Sequence, residues 1–238
     1  VYTMSERELN DYFVDLHVHI GRDSAGNPVK VSGARNLTFA SIAREAAMRK
    51  GIDIVAVVDC ASTGVLRDIE ALLKSGDMVE VPGGGLRYLD KTTVIPGAEV
   101  EAACPGSGAG AHYLSFFPNL ATLRQYSRNL SRYVSNMDLS TQRARLSPVE
   151  LARLAADHGG LFMVAHAFTP HKSLYGTCAS RLSDVFGEAA RKLVDGIELG
   201  LSADTDMADR IAELSNYTFT SNSDAHSLPK IGREYNIL

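Results

Sequence analysis

His17 and His19 lie two residues apart in Phe13-Val14-Asp15-Leu16-His17-Val18-His19, a run rich in apolar and β-branched residues. In an extended strand, residues i and i+2 share a face, so the two imidazoles project side by side and can grip one metal ion. Gly21 follows and puts the pair where the strand ends. A His-x-His is weak ground on its own, because short motifs recur by chance. Here it has company. Later apolar runs deliver Asp59 beside Cys60, then Glu99, His166, and Asp224 with His226, while His112 stands at the start of its run. These are more donors than one tetrahedral zinc takes. Imidazole mixed with carboxylate suits Zn²⁺, Mn²⁺ or Fe²⁺, with Mg²⁺ a further candidate. The pattern implies a centre of two or three divalent ions, able to activate a bound water.

The elements that must position these groups alternate strand with helix. Apolar runs at 13–19, 52–58, 92–96, 112–117, 161–165, 196–199 and 217–221 read as strands. Several are near-continuous in apolar residues, as buried parallel strands are. Between them, Thr38 caps a helix that runs to Arg49 and stops at Gly51. Further helices are expected over 64–74, 120–137, 183–193 and 206–214. Ser147-Pro148-Val149-Glu150 is a capping box with proline in the first turn, starting a helix that ends at Gly159. About seven strands alternating with helices argue for a parallel α/β barrel or a doubly wound sheet. In a barrel the chemistry gathers at the carboxyl ends of the strands, where most of these donors fall. Two glycine-rich stretches, 82–85 and 105–110, match no phosphate-cradling motif and read as loops.

Composition narrows the class. The chain has 238 residues, 45% apolar and 22% charged, and a net charge of −4. No apolar run approaches the roughly 18 residues of a membrane span, and Val1–Asn10 is too polar for a signal peptide. Cys60, Cys104 and Cys178 are odd in number and widely spaced, so neither a disulfide framework nor a CxxC zinc site is expected, and a reducing cytoplasm is. Arg124, Arg128 and Arg132 fall at i, i+4 and i+8 and form one positive stripe, either a solvated face or a phosphate-binding one. Without a linker or an internal repeat, residues 1–238 read as one domain.

Asp15-Leu-His17-Val-His19, Val58-Asp59-Cys60, Gly97-Ala-Glu99, His112, Ala165-His166 and Ser223-Asp224-Ala-His226 resemble the motifs of the PHP (polymerase and histidinol phosphatase) family. The resemblance implies a distorted (β/α)7 barrel with a metal centre. Within that family, His166-Ala-Phe-Thr-Pro170, Ser173-Leu-Tyr-Gly176, Gly196-Ile-Glu-Leu-Gly-Leu-Ser202 and Ser221–His226 are similar to the PHP domain of the endonuclease Q group. Its members nick DNA 5′ of a deaminated base (uracil, hypoxanthine, xanthine) or an abasic site, and they carry zinc-binding and helical modules after the PHP domain. This chain is therefore expected to lack those modules.

The same resemblance assigns His17, His19, Glu99 and Asp224 to one metal, and Glu99, His112 and His166 to a second. A third would take His226 with Asp59, Asp23 or Cys60, since the usual second-strand histidine is Cys60 here. Asp224, Glu99 and His226 are the expected catalytic groups, with a metal-activated hydroxide as nucleophile. Damaged DNA is the expected partner, with Phe168, Ser173, Tyr175 and Gly176 addressing an extruded base by stacking and by N–H donors. A PHP phosphatase acting on a small phosphomonoester or nucleotide and a non-catalytic PHP scaffold are the rival expectations.

Overall fold

The computed structural model describes residues 11–238. Val1–Asn10, with its polarity argument against a signal peptide, lies outside the described residues. Every expected strand is present: β1 (Phe13–Val18), β2 (Ile54–Val57), β5 (Thr92–Ala103), β6 (Gly110–Phe116), β8 (Leu161–Val164), β9 (Gly196–Glu198) and β10 (Thr218–Thr220). The sequence reading passed over β3 (Met78–Glu80), β4 (Leu86–Tyr88), β7 (Arg143–Ala144) and β11 (Asn236–Ile237), all three residues or fewer. The strands form one sheet in the order β10-β9-β8-β6-β5-β2-β1-β11, with the β3–β4 hairpin and β7 attached at β5.

The sheet curls into a nearly closed barrel whose two margins meet at a seam. There, Ala225 bridges Val18 in parallel, and single side chains do much of the remaining pairing. Asp15 accepts the N–H groups of Ser223 and Gly232. Asn222 accepts that of Leu16, and Asn236 donates to Val14 and Ser221 carbonyls. A small apolar cluster of Ala56, Val58, Leu114, Phe116, Met163 and Ala165 is drawn from several strands and their ends, and a larger core packs the helices onto the sheet.

Strict parallel alternation does not hold at Glu99. Gly97–Glu101 does not leave the strand as a loop: β5 continues to Ala103 and folds back antiparallel on β6, with Glu101 opposite His112. The short loop between them lets the two strands zip directly, without a crossover helix.

The helices follow their caps. α1 (Phe39–Glu45) is capped by Thr38, continues as a wider turn to Lys50, and stops where Gly51 takes φ 65°. α2 (Thr63–Ser75) lies where expected, as does α4 (Pro148–Ala156) behind the Ser147–Glu150 capping box. α3 (Leu120–Leu130) is shorter than expected, so Arg132 lies beyond it; Arg124 pairs with Glu70 at 2.7 Å. The helix expected over 183–193 breaks into α5 (Leu182–Phe186) and α6 (Ala190–Leu193), because Gly187 adopts φ 59°. The last, α7 (Thr205–Ala208), covers only the first turn of the expected 206–214.

The cysteine expectation is overturned. Cys104, at the end of β5, is joined by a disulfide to Cys178, 74 residues away, and only Cys60 is free. Pairing depends on which loops the fold brings together, and spacing does not encode that. No helix among the described residues is long and apolar enough to cross a membrane.

Candidate metal centre

β1 delivers His17 and His19 to the end of the barrel where the seam closes. Their Nε2 atoms face each other 3.1 Å apart, both rings essentially inaccessible. The opposite nitrogen of each ring is held by a carboxylate. Glu198 on β9 takes His17 Nδ1 at 2.9 and 3.0 Å, and Asp59 after β2 takes His19 Nδ1 at 3.1 Å with both oxygens. A carboxylate behind a ligand histidine puts the proton on Nδ1 and turns the Nε2 lone pair outward.

Glu99, mid-strand on β5, sits at the hub. Its Oε1 lies 3.6 Å from His17 Nε2, 3.0 Å from His112 Nδ1 and 3.5 Å from His166 Nε2. Asp224, beyond β10, approaches His19 Nε2 at 3.2 Å and His17 Nε2 at 3.6 Å through Oδ1. His226 lies tilted beside His19 with ring centres 4.3 Å apart. Among the described residues, three groups therefore offer ligand atoms within 4.8 Å of one another: His17/His19/Glu99, Glu99/His112/His166 and His19/Asp224/His226. His112 Nδ1 is buried and without a well-formed hydrogen bond, as a nitrogen shaped for an ion is. The donor set fits divalent ions.

Two of these residues sit in left-handed backbone, His166 at φ 26° and Asp224 at φ 45°. Non-glycine residues rarely adopt that conformation, and such strain collects at functional sites. Electrostatics agree. Burial alone would lower the His17 pKa, but Glu198, Asp224 and Glu99 outweigh it and push it up to about 10. Burial raises the Asp224 carboxyl, yet His17 and His19 prevail and hold it well below the usual carboxylate range. His226 goes the other way, lowered by burial and by His19.

The structure brings most of the sequence-derived residues together, and sets two groups of them differently. Asp59 stands behind His19 and is spent on its Nδ1 and on the Ile20 N–H at 2.6 Å, so it is a supporting carboxylate and not one of the clustered donors. The four base-contact candidates are largely engaged with one another. Phe168 and Tyr175 stack at 5.1 Å, and the Tyr175 hydroxyl donates to Glu213 at 2.8 Å. Ser173 Oγ accepts the Gly176 N–H and donates to Thr169 O, and the Tyr175 N–H donates to Ala167 O. Donors that satisfy a loop are not free to read a base.

Sequence reasoning missed Glu198, Lys30 and Thr141. A carboxylate inside the apolar strand Gly196-Ile197-Glu198-Leu199 was a readable signal, since buried acids need partners; the two loop residues gave none. His158 lies away from the centre, bonded to Leu154 O and Asn129.

No family model matches the chain. The Bacillus subtilis protein YqxK, itself uncharacterized, is 45% identical over 231 residues, covering 97% of this chain and 59% of YqxK. The lesion-specific endonuclease PfuEndoQ of Pyrococcus furiosus superposes with a TM-score of 0.78 at 31% identity, covering 96% of this chain and 52% of that one. The chain folds as a PHP domain and resembles endonuclease Q. A two-domain Bacteroides vulgatus protein with a predicted PHP-like metal-dependent phosphoesterase shares the PHP fold, with a TM-score of 0.53 at 13% identity. This PHP domain spans about half the length of PfuEndoQ and 59% of YqxK.

Proposed function

We propose that this PHP domain is the catalytic part of a metal-dependent phosphoesterase that cuts DNA on the 5′ side of a damaged base, either deaminated or abasic. The observation that carries the reading is the hub at Glu99, one buried carboxylate set between the His17/His19 pair and the His112/His166 pair. Divalent ions held by those residues with Asp224 supply Lewis-acid activation and neutralise phosphate charge.

The chain's own groups do the rest. Asp224 remains ionised and 34% exposed at the mouth, so it can accept a proton from an attacking water. His226 directs Nδ1 toward the Asp224 carbonyl at 3.0 Å, which leaves Nε2 as an acceptor, and its lowered pKa keeps it neutral at physiological pH. Glu198 and Asp59 hold the first two imidazoles in the required tautomer. The Phe168–Tyr175 stack, on the segment that follows His166 in the chain, is the candidate apolar surface for an extruded base; the donors of Ser173 and Gly176 have no part in this reading.

DNA as substrate is supported by the 31% identity to an endonuclease also solved with a 27-mer duplex carrying an abasic lesion at the active site. The test is a nicking assay with Mn²⁺, Zn²⁺ or Mg²⁺ on oligonucleotides carrying one uracil, one abasic site or a cytosine control. Nicks 5′ of uracil or the abasic site alone are the expected result. Hydrolysis of p-nitrophenyl phosphate without any nick would make the domain a small-molecule phosphatase.

A further inference from the structure

Three groups of ligand atoms surround the centre, yet they do not amount to three sites. His19 belongs to two of them, and its Nδ1 is already held by Asp59. Its Nε2 has a single lone pair, so those two groups draw on the same atom. The donors sort instead into two sets: His17 and His19 Nε2 with Asp224 on one side, His112 with His166 on the other, and Glu99 between them. His226 keeps a free Nε2, with its Nδ1 on the Asp224 carbonyl, but one imidazole is too few donors to hold a third ion, and the other candidate donors are spent. Asp59 accepts from His19 and Ile20, Asp23 accepts from the backbone and side chain of Asn27, and the buried Cys60 thiol donates to Val57 O.

The cation that stands among these groups is Lys30. Its backbone N–H donates to Ile20 O at 2.9 Å, tying its loop to the end of β1. Its side chain, 14% exposed, reaches Glu99 Oε2 at 2.8 Å and Thr141 Oγ1 at 2.5 Å. Thr141 donates to the same Oε2 at 2.7 Å, from a backbone at φ 52° that a β-branched residue seldom adopts. Oε2 is clamped from two sides and lies 3.6 Å from His19 Nε2, while Oε1 is the oxygen turned toward His17, His112 and His166.

We propose that Lys30 stands in for a third metal ion: the chain holds two divalent ions, and the Lys30 ammonium is a positioning residue that clamps Glu99 so that one oxygen faces both donor sets. The inference rests on the metal-dependent reading above and deepens it. It predicts a sign as well as a number. If Lys30 acted only as a nearby positive charge, removing it would tighten divalent binding; as a clamp on a ligand, its removal loosens binding by roughly 10–100-fold, the usual cost of a lost supporting partner.

The experiment is metal counting and titration on the purified chain, depleted with chelator and reloaded with Zn²⁺ or Mn²⁺, with wild type, Lys30→Met and Lys30→Arg side by side. Expected are two ions per wild-type chain, a weakened second ion in Lys30→Met, and recovery in Lys30→Arg, with far-UV circular dichroism checking the fold. Three ions in wild type, or unchanged or tighter binding in a folded Lys30→Met, would overturn the inference and leave the metal-dependent reading standing. No bound ion at all would overturn that reading instead. Should Lys30→Met not fold, the wild-type count still decides, and loss of the second ion in Lys30→Arg would count against a clamp that any cation can provide.

Discussion

Replacing Glu198 with glutamine keeps the shape of the side chain and removes only its charge and half of its accepting capacity. Three donors converge on this carboxylate: His17 Nδ1 on both oxygens at 2.9 and 3.0 Å, Asn222 Nδ2 on Oε1 at 2.9 Å, and the His166 N–H on Oε2 at 2.7 Å. Glutamine brings one acceptor oxygen and a second donor group, so at least one convergent donor faces an N–H₂ where it had an oxygen. At 1% exposure no water relieves it. The cost of one such buried unsatisfied donor is about 1–3 kcal/mol. The same change loosens the proton on His17 Nδ1 that keeps its Nε2 lone pair turned toward His19. Metal affinity is expected to fall about 10–100-fold. Competition titration with a chromophoric chelator measures it, and a metal-free melting curve separates the folding cost. Glu198→Gln with unchanged affinity in a folded protein would refute the role given to the carboxylate.

Asp224→Asn, isosteric and uncharged, is expected to lower the rate of phosphoester hydrolysis by at least ~100-fold, the scale of a lost general base; turnover near wild type would remove Asp224 from proton transfer. In the metal-free chain His17 is raised to about 10 from 6.5, so its contribution to stability is complete below pH 6.5 and is lost as pH climbs through about 10. Metal loading must expel that proton, so affinity should rise with pH by about tenfold per unit through this window, and a flat pH profile in calorimetry would contradict it. Reducing the Cys104–Cys178 bond, or substituting Cys178→Ser, is expected to cost about 2–4 kcal/mol, read as a lowered denaturation midpoint; equal midpoints with and without reductant would show that the link contributes nothing.

What could be read from the chain depended on range. His17 and His19 were legible because strand geometry alone sets two residues on one face, His166 because it follows the apolar run Leu161–Ala165, and Asp224 and His226 because they follow the strand-like run at 217–221. Glu99 was found, but its setting was not: nothing local says that β5 passes through the centre and returns as β6. Asp59 was assigned as a ligand because a strand-end acid beside a histidine pair looks the same whether it stands in front of the imidazole or behind it; the 3.1 Å contacts to Nδ1 decide that. Lys30 and Thr141 come from loops 111 residues apart, and only the closed barrel brings them together on Glu99.

The barrel's seam has a consequence beyond geometry. A margin closed by individual Asp15, Asn222 and Asn236 side chains lacks the cooperative zip of a full ladder, so it is where this fold should breathe first. His17 and His19 stand on one bank of that seam and Asp224 and His226 on the other. An ion gripping both banks would act as a rivet, and its loss would let the banks part while the rest of the sheet stays shut. Metal supply would then govern the lifetime of the chain against proteases as well as its chemistry, and starvation for metal would clear the idle protein.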